Sequence, residues 1–316
     1  MAHTFFQFVV FLFGKLHFER VSGASWSYEG TNGPSYWKDN NPICNGQSQS
    51  PINLPPLAEV KYDRKLTPFR LHDFDKPGSV YNLTMKNNKH TVQVDVEGGS
   101  TLMVSGGGLI HSTYKVAQFH FHWGSDNTKG SEHTYNGISY PMELHIVTFD
   151  SRYSSISEAA DKSSGLAVLG FFFEINDDKN CNYSPLVDLM MNVAAGGTTV
   201  SLPDFKLRHL MPMMFGDYFR YDGSLTTPPC YQSVQWTVFW QKIHISSAQM
   251  AKFRQLYGDT QSYSLSNNYR PVQPLNGRSV RTNVNILETA SGSGHVFQNN
   301  VIVFFMIMFP FIMSCF

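Results

Sequence analysis

Gln118-Phe119-His120-Phe121-His122-Trp123 alternates polar and aromatic side chains with a strict period of two. Successive residues of a β-strand point to opposite faces. Gln118, His120 and His122 therefore share one face, and Phe119, Phe121 and Trp123 share the other. The aromatic face is core material, while the polar face carries two imidazoles within reach of one ion. Glu143-Leu144-His145 repeats the spacing inside residues 142–149, a second strand-like run, which can bring a third imidazole to the same point. Three neutral histidines with a fourth position left open are the ligand set of a catalytic zinc rather than a structural one. A metal-bound histidine passes its second ring N–H to a carboxylate, amide or carbonyl. By the same period Gln118 and Glu143 are placed for that task, although the sequence does not say which histidine each meets. A bare His-x-His on a strand is more often a solvated pair, so the metal reading leans on the third histidine and on the residues below.

Outward from this stretch the chain keeps reading as strand and turn. Thr91-Val92-Gln93-Val94-Asp95-Val96 alternates with period two. Residues 165–175 and 234–245 are rich in β-branched and aromatic side chains. Leu166-Ala167-Val168-Leu169-Gly170-Phe171 is continuously apolar, as expected of a strand buried on both faces. Helical pattern is scarce. Residues 184–195 and 247–257 are the best candidates, the second capped by Ser246 or Ser247. No internal repeat, low-complexity stretch or linker interrupts the chain before about Thr289. The expectation is one mostly-β domain over residues 24–288 with a few short peripheral helices.

Both ends read as processing signals and are set aside before composition is interpreted. Residues 5–13 are a short apolar run, followed by Lys15, His17, Glu19 and Arg20 and then by Ser22-Gly23-Ala24. Residues 1–23 are expected to be a secretory signal peptide, although only His3 and the α-amino group can be positive ahead of the apolar run. At the other end, residues 301–316 are apolar and uncharged. Small residues at Ala290-Ser291-Gly292-Ser293-Gly294 and a polar spacer to Asn300 precede them, so residues 289–300 read as attachment region and spacer. Small site, spacer and apolar tail are the pattern of a glycosylphosphatidylinositol (GPI) signal whose tail is removed. The lipid is placed on Ser291, with Ser293 as the alternative. A membrane span would want about 20 apolar residues and usually a basic cytoplasmic flank.

Removing Lys15, Glu19 and Arg20 takes the formally neutral chain to about −1, which leaves no basic surplus for nucleic acid. Cys315 leaves with the tail. Cys44, Cys181 and Cys230 remain, an odd number in an oxidising compartment, which predicts a thiol that is unpaired or paired between chains. Asn82-Leu83-Thr84 and Asn182-Tyr183-Ser184 are glycosylation acceptors consistent with secretion.

Several stretches together resemble the α-class carbonic anhydrases. They are Gln118-Phe119-His120-Phe121-His122-Trp123-Gly124-Ser125, Gly130-Ser131-Glu132-His133 and Glu143-Leu144-His145. Gln49-Ser50-Pro51-Ile52-Asn53, Tyr221-Asp222-Gly223-Ser224-Leu225-Thr226-Thr227-Pro228-Pro229 and Tyr269-Arg270-Pro271-Val272-Gln273-Pro274-Leu275-Asn276 complete the set. The resemblance spans roughly residues 26–284 and points to the GPI-anchored extracellular branch. It implies a large, mainly antiparallel twisted central sheet, Zn2+ as cofactor, and reversible hydration of CO2 to bicarbonate by zinc-hydroxide attack. Carbonic anhydrase is itself the general model for zinc bound by three histidines and for a bound water whose pKa falls to about 7.

Residue by residue, the resemblance makes His120, His122 and His145 the zinc ligands. Thr226 becomes the gatekeeper that accepts a hydrogen bond from the zinc-bound hydroxide and donates to Glu132. Val147, Val168, Leu225 and Trp236 become the apolar wall for CO2, with Thr227 beside them. Release of the proton straight to water from a group of pKa about 7 is limited to on the order of 10³ per second. Faster turnover needs a relay of pKa near ambient, for which histidine is suited. His90 matches the family's shuttle, and Tyr28, Asn88, Gln93 and Thr227 match the polar side that orders the connecting water. Thr91 departs from the small residue common beside the shuttle, which puts the shuttle's freedom in doubt. His133 reads as a structural hydrogen-bonder rather than a ligand.

Cys44 and Cys230 match the family's extracellular disulfide. In the loop-entropy model a closure of that length stabilises by roughly 5 kcal/mol. The second N-terminal disulfide of the GPI-linked members has no counterpart here. Cis bonds at Ser50-Pro51 and Pro228-Pro229 are implied as well. Sulfonamide and anion inhibitors, and functional coupling to bicarbonate or proton transporters at the outer face of the plasma membrane, are further expectations. Two rival readings are a non-catalytic binding or adhesion domain of the same fold and a zinc esterase. The binding-domain relatives lose zinc histidines, and all three are intact here.

Overall fold

The structure, a computed structural model, describes residues 26–77, 81–99, 101–258 and 264–286. The expected signal peptide (residues 1–23), Ser291, Ser293 and the apolar stretch 301–316 lie outside the described residues. The strands in chain order are β1 (Asn53–Leu54), β2 (Lys61–Tyr62), β3 (Phe69–His72), β4 (Asn82–Asn87), β5 (Val92–Glu97), β6 (Met103–Gly106) and β7 (Thr113–Trp123). They continue with β8 (Thr134–Tyr135), β9 (Met142–Asp150), β10 (Leu166–Asn176), β11 (Thr199–Ser201), β12 (Tyr218–Gly223), β13 (Val234–Ser246) and β14 (Arg281–Thr282). The helices are single turns or little more: α1 (Trp37–Asn40), α2 (Ile156–Ala159), α3 (Ser184–Asp188) and α4 (Ser247–Phe253).

Twelve strands form one sheet in the order β11-β4-β5-β7-β9-β10-β13-β12-β14-β2, with β3 on β6 and β6 on β7. Most neighbours are antiparallel, as expected. The sheet is nonetheless mixed, because β10 runs parallel to β13 and β14 parallel to β2. The single mostly-β domain expected from the sequence is the domain found.

The two faces of the central strands go to two cores. Phe119, Phe121, Trp123, Leu144, Ile146, Leu169 and Phe171 enter the larger one. Val147, Val168, Trp236 and Val238 enter the smaller one on the histidine side. The period of two in β7 holds only from Gln118 onward. A register shift between Val116 and Gln118 against β9 interrupts it. That bulge lets Tyr114 and Val116 share the larger core with Phe119 while Gln118, His120 and His122 face the other way.

Residues 184–195 do not form the continuous helix that their pattern predicts. α3 stops at Asp188 and a 3₁₀ turn follows at Met190–Val193. The carbonyls of Val193 and Ala194 accept from the buried Asn87 amide instead, so tertiary bonding overrides local preference here. Residues 247–257 shorten to α4, which Ser246 caps in a reciprocal box with Gln249. Ser50-Pro51 and Pro228-Pro229 are both cis.

Candidate metal centre

β7 and β9 lie side by side with His120 opposite His145 and His122 opposite Glu143. One register thus carries all three candidate ligands and one carboxylate. A Cβ at Gly170, which pairs with His145, would stand 3.2 Å from Glu143 Oε1, so the small residue there makes room for the carboxylate.

Each imidazole has a fixed tautomer. His120 Nδ1 donates to Gln118 Oε1 at 2.9 Å. His122 Nδ1 donates to the Asn268 carbonyl at 2.7 Å, a partner that can only accept. His145 Nε2 donates to Glu143 Oε1 at 2.8 Å. The remaining nitrogens, His120 Nε2, His122 Nε2 and His145 Nδ1, therefore all present lone pairs. Among them, His120 Nε2 and His145 Nδ1 lie 3.3 Å apart. Two acceptors facing each other cannot form a hydrogen bond, but they can share a cation. With metal–nitrogen bonds of about 2.0–2.1 Å, a tetrahedral zinc places its nitrogens roughly 3.3–3.4 Å apart. His122 Nε2 is buried and has no hydrogen-bond partner among the described residues. The three ligand atoms lie within 4.8 Å of one another. Donor type, spacing and the orphaned nitrogen all fit zinc.

The electrostatics agree. Burial, helped by His145, pushes the His122 imidazole down to about 3. Burial also lowers His120 well below its ordinary value and lowers His145 against the pull of Glu143. Neutral imidazoles are what metal ligation requires.

Glu143 is saturated. Its Oε1 accepts from His145 and from His133 Nδ1, and its Oε2 accepts from the backbone N–H groups of Glu132 and His133. Burial alone would raise its pKa, yet His133 and His145 hold it well below the usual carboxylate range. His133, Glu143 and His145 also cluster closely enough to suggest a metal. There, however, the two ring nitrogens carry the protons donated to Glu143, so the cluster is a hydrogen-bond network. His133 Nε2 pairs with the Tyr221 hydroxyl at 2.6 Å, and Tyr221 reaches Ser50 Oγ at 2.9 Å.

Glu132 lies 3.5 Å from His122 Nε2 through its Oε2. Its Oε1 accepts the Arg270 backbone N–H at 2.8 Å. Burial drives its pKa well up, with Arg270 and Thr226 pulling the other way. Thr226 is buried and acts on the Glu132 side chain, while Oε2 keeps no hydrogen-bond partner of good geometry among the described residues. Val147, Val168 and Trp236 are buried in one cluster, with Leu225 packed against it and Trp236 edge-on to His145 at 4.7 Å. Thr227 is half-buried and its carbonyl accepts the Cys230 N–H.

The proton side is more open. His90 sits in the turn between β4 and β5, half-buried, with its ring stacked on Trp26 at 3.8 Å. Asn88 Oδ1 accepts the N–H groups of His90 and Thr91, and Asn88 Nδ2 donates to Gln93. Tyr28 packs edge-on against Trp26, and burial followed by Glu132 keeps its phenol well above its ordinary pKa. The Thr91 hydroxyl donates to the Phe121 carbonyl, so it is bound into the sheet.

The disulfide expected between Cys44 and Cys230 is present. Cys181 is not free either. The count that would leave it without a mate depends on removing Cys315, which lies outside the described residues. Sequence reasoning assigned no role to Asn268, Arg270, Tyr221 or Trp26. Arg270 is the junction: its guanidinium donates to Gln49 Oε1 and to the carbonyls of Ser50 and Cys44, and burial lowers its pKa to about 10. Through this one residue the disulfide region is tied to Glu132. Arg270 and Tyr221 lie within the family motifs, and Asn268 lies two residues before Arg270.

Comparison with known proteins agrees with this geometry. The eukaryotic-type carbonic anhydrase family model matches residues 32–284, and the chain belongs to that family of CO2-hydrating zinc enzymes. Carbonic anhydrase 1 of Monodelphis domestica is 38% identical over 265 residues, covering 83% of this chain and 98% of the relative. Carbonic anhydrase 6 of Mus musculus is 36% identical over 283 residues, covering 88% and 87% respectively.

Proposed function

We propose that the protein hydrates CO2 reversibly at the outer face of the plasma membrane, with zinc held by His120, His122 and His145 and with His90 as proton shuttle. The observation that carries this reading is the set of three fixed lone pairs meeting in one buried place. Zinc bound there supplies a water whose pKa falls to around 7, hence a nucleophile at neutral pH.

The chain's own residues do the rest. Gln118, the Asn268 carbonyl and Glu143 fix the ligand tautomers. Glu132, held by the Arg270 N–H, accepts a hydrogen bond from the Thr226 hydroxyl, which leaves the Thr226 oxygen to accept from the nucleophile and orient it. Val147, Val168, Leu225 and Trp236 offer an apolar wall to a substrate without charge, with the Thr227 side chain at its polar border. Tyr28, Asn88 and Gln93 line the path toward His90.

The location rests on the chain's ends and on the disulfide, a bond that oxidising compartments preserve. Asn82 and Asn182 are exposed, as glycan attachment requires. Ser291 is the proposed lipid site, and bicarbonate or proton transporters in the same membrane are the proposed functional partners. The deciding experiment is stopped-flow CO2 hydration on the purified protein with metal analysis. One zinc per chain and sulfonamide-sensitive hydration are expected. Bound zinc without hydration above buffer would sink the enzyme reading and favour a binding domain. Phospholipase C should release the protein from cells.

A further inference from the structure

We infer that the loop carrying Met213 and Met214 is a membrane-docking surface that rests on the lipid of the outer leaflet. This rests on the lipid-anchor reading of the chain's end. Met213 is 89% exposed and Met214 79%, the most exposed large apolar side chains among the described residues. Such side chains usually fold back onto a protein when the loop beneath them is free to move. This loop is pinned. The Arg208 guanidinium donates to the carbonyls of Met211, Pro212 and Met213 and sits over the Phe215 ring, itself packed on the core. The two thioethers are therefore held outward by a clamped backbone.

The place where the chain leaves the fold identifies the occupant. Asn283 donates to the Gly216 carbonyl at 2.6 Å and accepts from the Tyr218 N–H at 2.9 Å. The described chain ends at Ile286, three residues beyond that contact. Residues 287–291 add at most about 3.3–3.6 Å each before the proposed lipid site. The Met pair, two and three residues before Gly216, thus lies at the end of the molecule nearest the proposed anchor. Trp240, whose N–H donates to the Asp217 carbonyl, flanks the same exit with Lys242 over its ring. Exposed apolar side chains with aromatic and basic neighbours suit the boundary between headgroups and acyl chains. A contact too weak to hold a free protein becomes effective once a short tether raises the local concentration of the surface.

The geometry also leaves the enzyme open. β12, which follows the loop, is separated from β5 by β7, β9, β10 and β13, or roughly 24 Å at the usual strand spacing. His90 stands at the start of β5, in the half of the sheet remote from the docking end.

The test is peroxide oxidation of methionine followed by peptide mass spectrometry. The purified, anchored protein is reconstituted in phosphatidylcholine vesicles and compared with the same protein after phospholipase C release. Met191, 42% exposed and placed beside β4 and β11, is the internal standard. In the released protein Met213 and Met214 should oxidise faster than Met191, in the order of exposure. On vesicles they should oxidise several-fold more slowly than Met191. An unchanged order on vesicles overturns the proposal. Protection seen only on cell membranes and not on pure lipid overturns it in favour of a protein partner. If phospholipase fails to release the protein, the anchor reading falls, while the order of oxidation on the vesicles still decides the docking.

Discussion

His122 and His90 are the two histidines that the proposed mechanism uses most differently, and the fold treats them in opposite ways. His122 is 1% exposed, lies one residue from the end of an eleven-residue strand and has its tautomer set by a carbonyl from a distant loop. His90 sits half-buried in a turn, fixed through its backbone by Asn88 and Asn268, with its ring laid flat on Trp26. The difference fits the tasks proposed for them. A ligand must keep one lone pair in one place, so it is buried and its second nitrogen is tied. A proton carrier must meet both the site and bulk water, so its backbone is fixed and its ring remains at the surface.

The sharpest way to break this contrast is to remove the buried member. His122→Ala should abolish stoichiometric zinc and all hydration above buffer, with metal analysis and stopped-flow as the measurements. Zinc retained at one per chain would refute the ligand assignment. Next in size is the support of a ligand. Glu143→Gln keeps the shape of the side chain but removes the charge that accepts four hydrogen bonds. Zinc affinity should fall by about 10–100-fold, as for other residues that orient ligands. Chelator competition measures it.

Acid should act on the buried member as well. The folded pKa of each ligand histidine is lowered, to about 3 for His122. In the unfolded chain these groups protonate near 6.5. Below that value the unfolded state binds more protons than the folded one, so the stability of the metal-free protein should decline as pH falls from about 6.5 toward 3. Urea midpoints across that range test the sign. Midpoints that rise on acidification would mean that the site is not built around neutral imidazoles.

How much of this was legible in the sequence divides along the same line. The ligand face was readable because strand periodicity is local: Gln118, His120 and His122 differ by two and point together. The bulge that begins this face at Gln118 was not readable, since it depends on pairing with β9. The carbonyl of Asn268 carries no side-chain signal, and 146 residues separate it from His122. Glu143 was readable as a support for some ligand histidine, and only the structure pairs it with His145. Its second allegiance to His133 was not readable, because that contact arises where the loop after β7 returns to the strand. The stacking of Trp26 on His90 joins the N-terminal segment to a turn through two faces of no pattern. Resemblance supplied the Cys44–Cys230 pairing, which no spacing rule would have chosen among the cysteines.

On the open side, His90→Ala should leave zinc content unchanged. In weak buffer, turnover should fall toward on the order of 10³ per second, the ceiling for direct release to water from a group of pKa about 7. Added imidazole should restore it. If imidazole changes nothing, the proton leaves by another route, and the contrast between fixed ligand and surface carrier loses its second half.

The smallest effect is expected from Trp26→Ala, and it reaches furthest into the comparison. Stacked rings at 3.8 Å with 11° between their planes hold the His90 imidazole in one orientation. A ring pair of this kind contributes about 0.5–1.5 kcal/mol beyond its buried area. Its removal can therefore shift the populations of the His90 ring by no more than about tenfold. Zinc affinity should not change, because the ring contacts of Trp26 are with Tyr28, Trp37 and His90 rather than with Gln118, Asn268 or Glu143. Turnover in weak buffer should change by less than tenfold, and the imidazole-rescued rate should match that of the unmodified protein. A gain would mean that stacking holds the ring back from the site, and a loss that stacking presents the ring to it. A change in zinc affinity would show instead that the N-terminal segment braces the metal floor, and that ligand and carrier are not separately built.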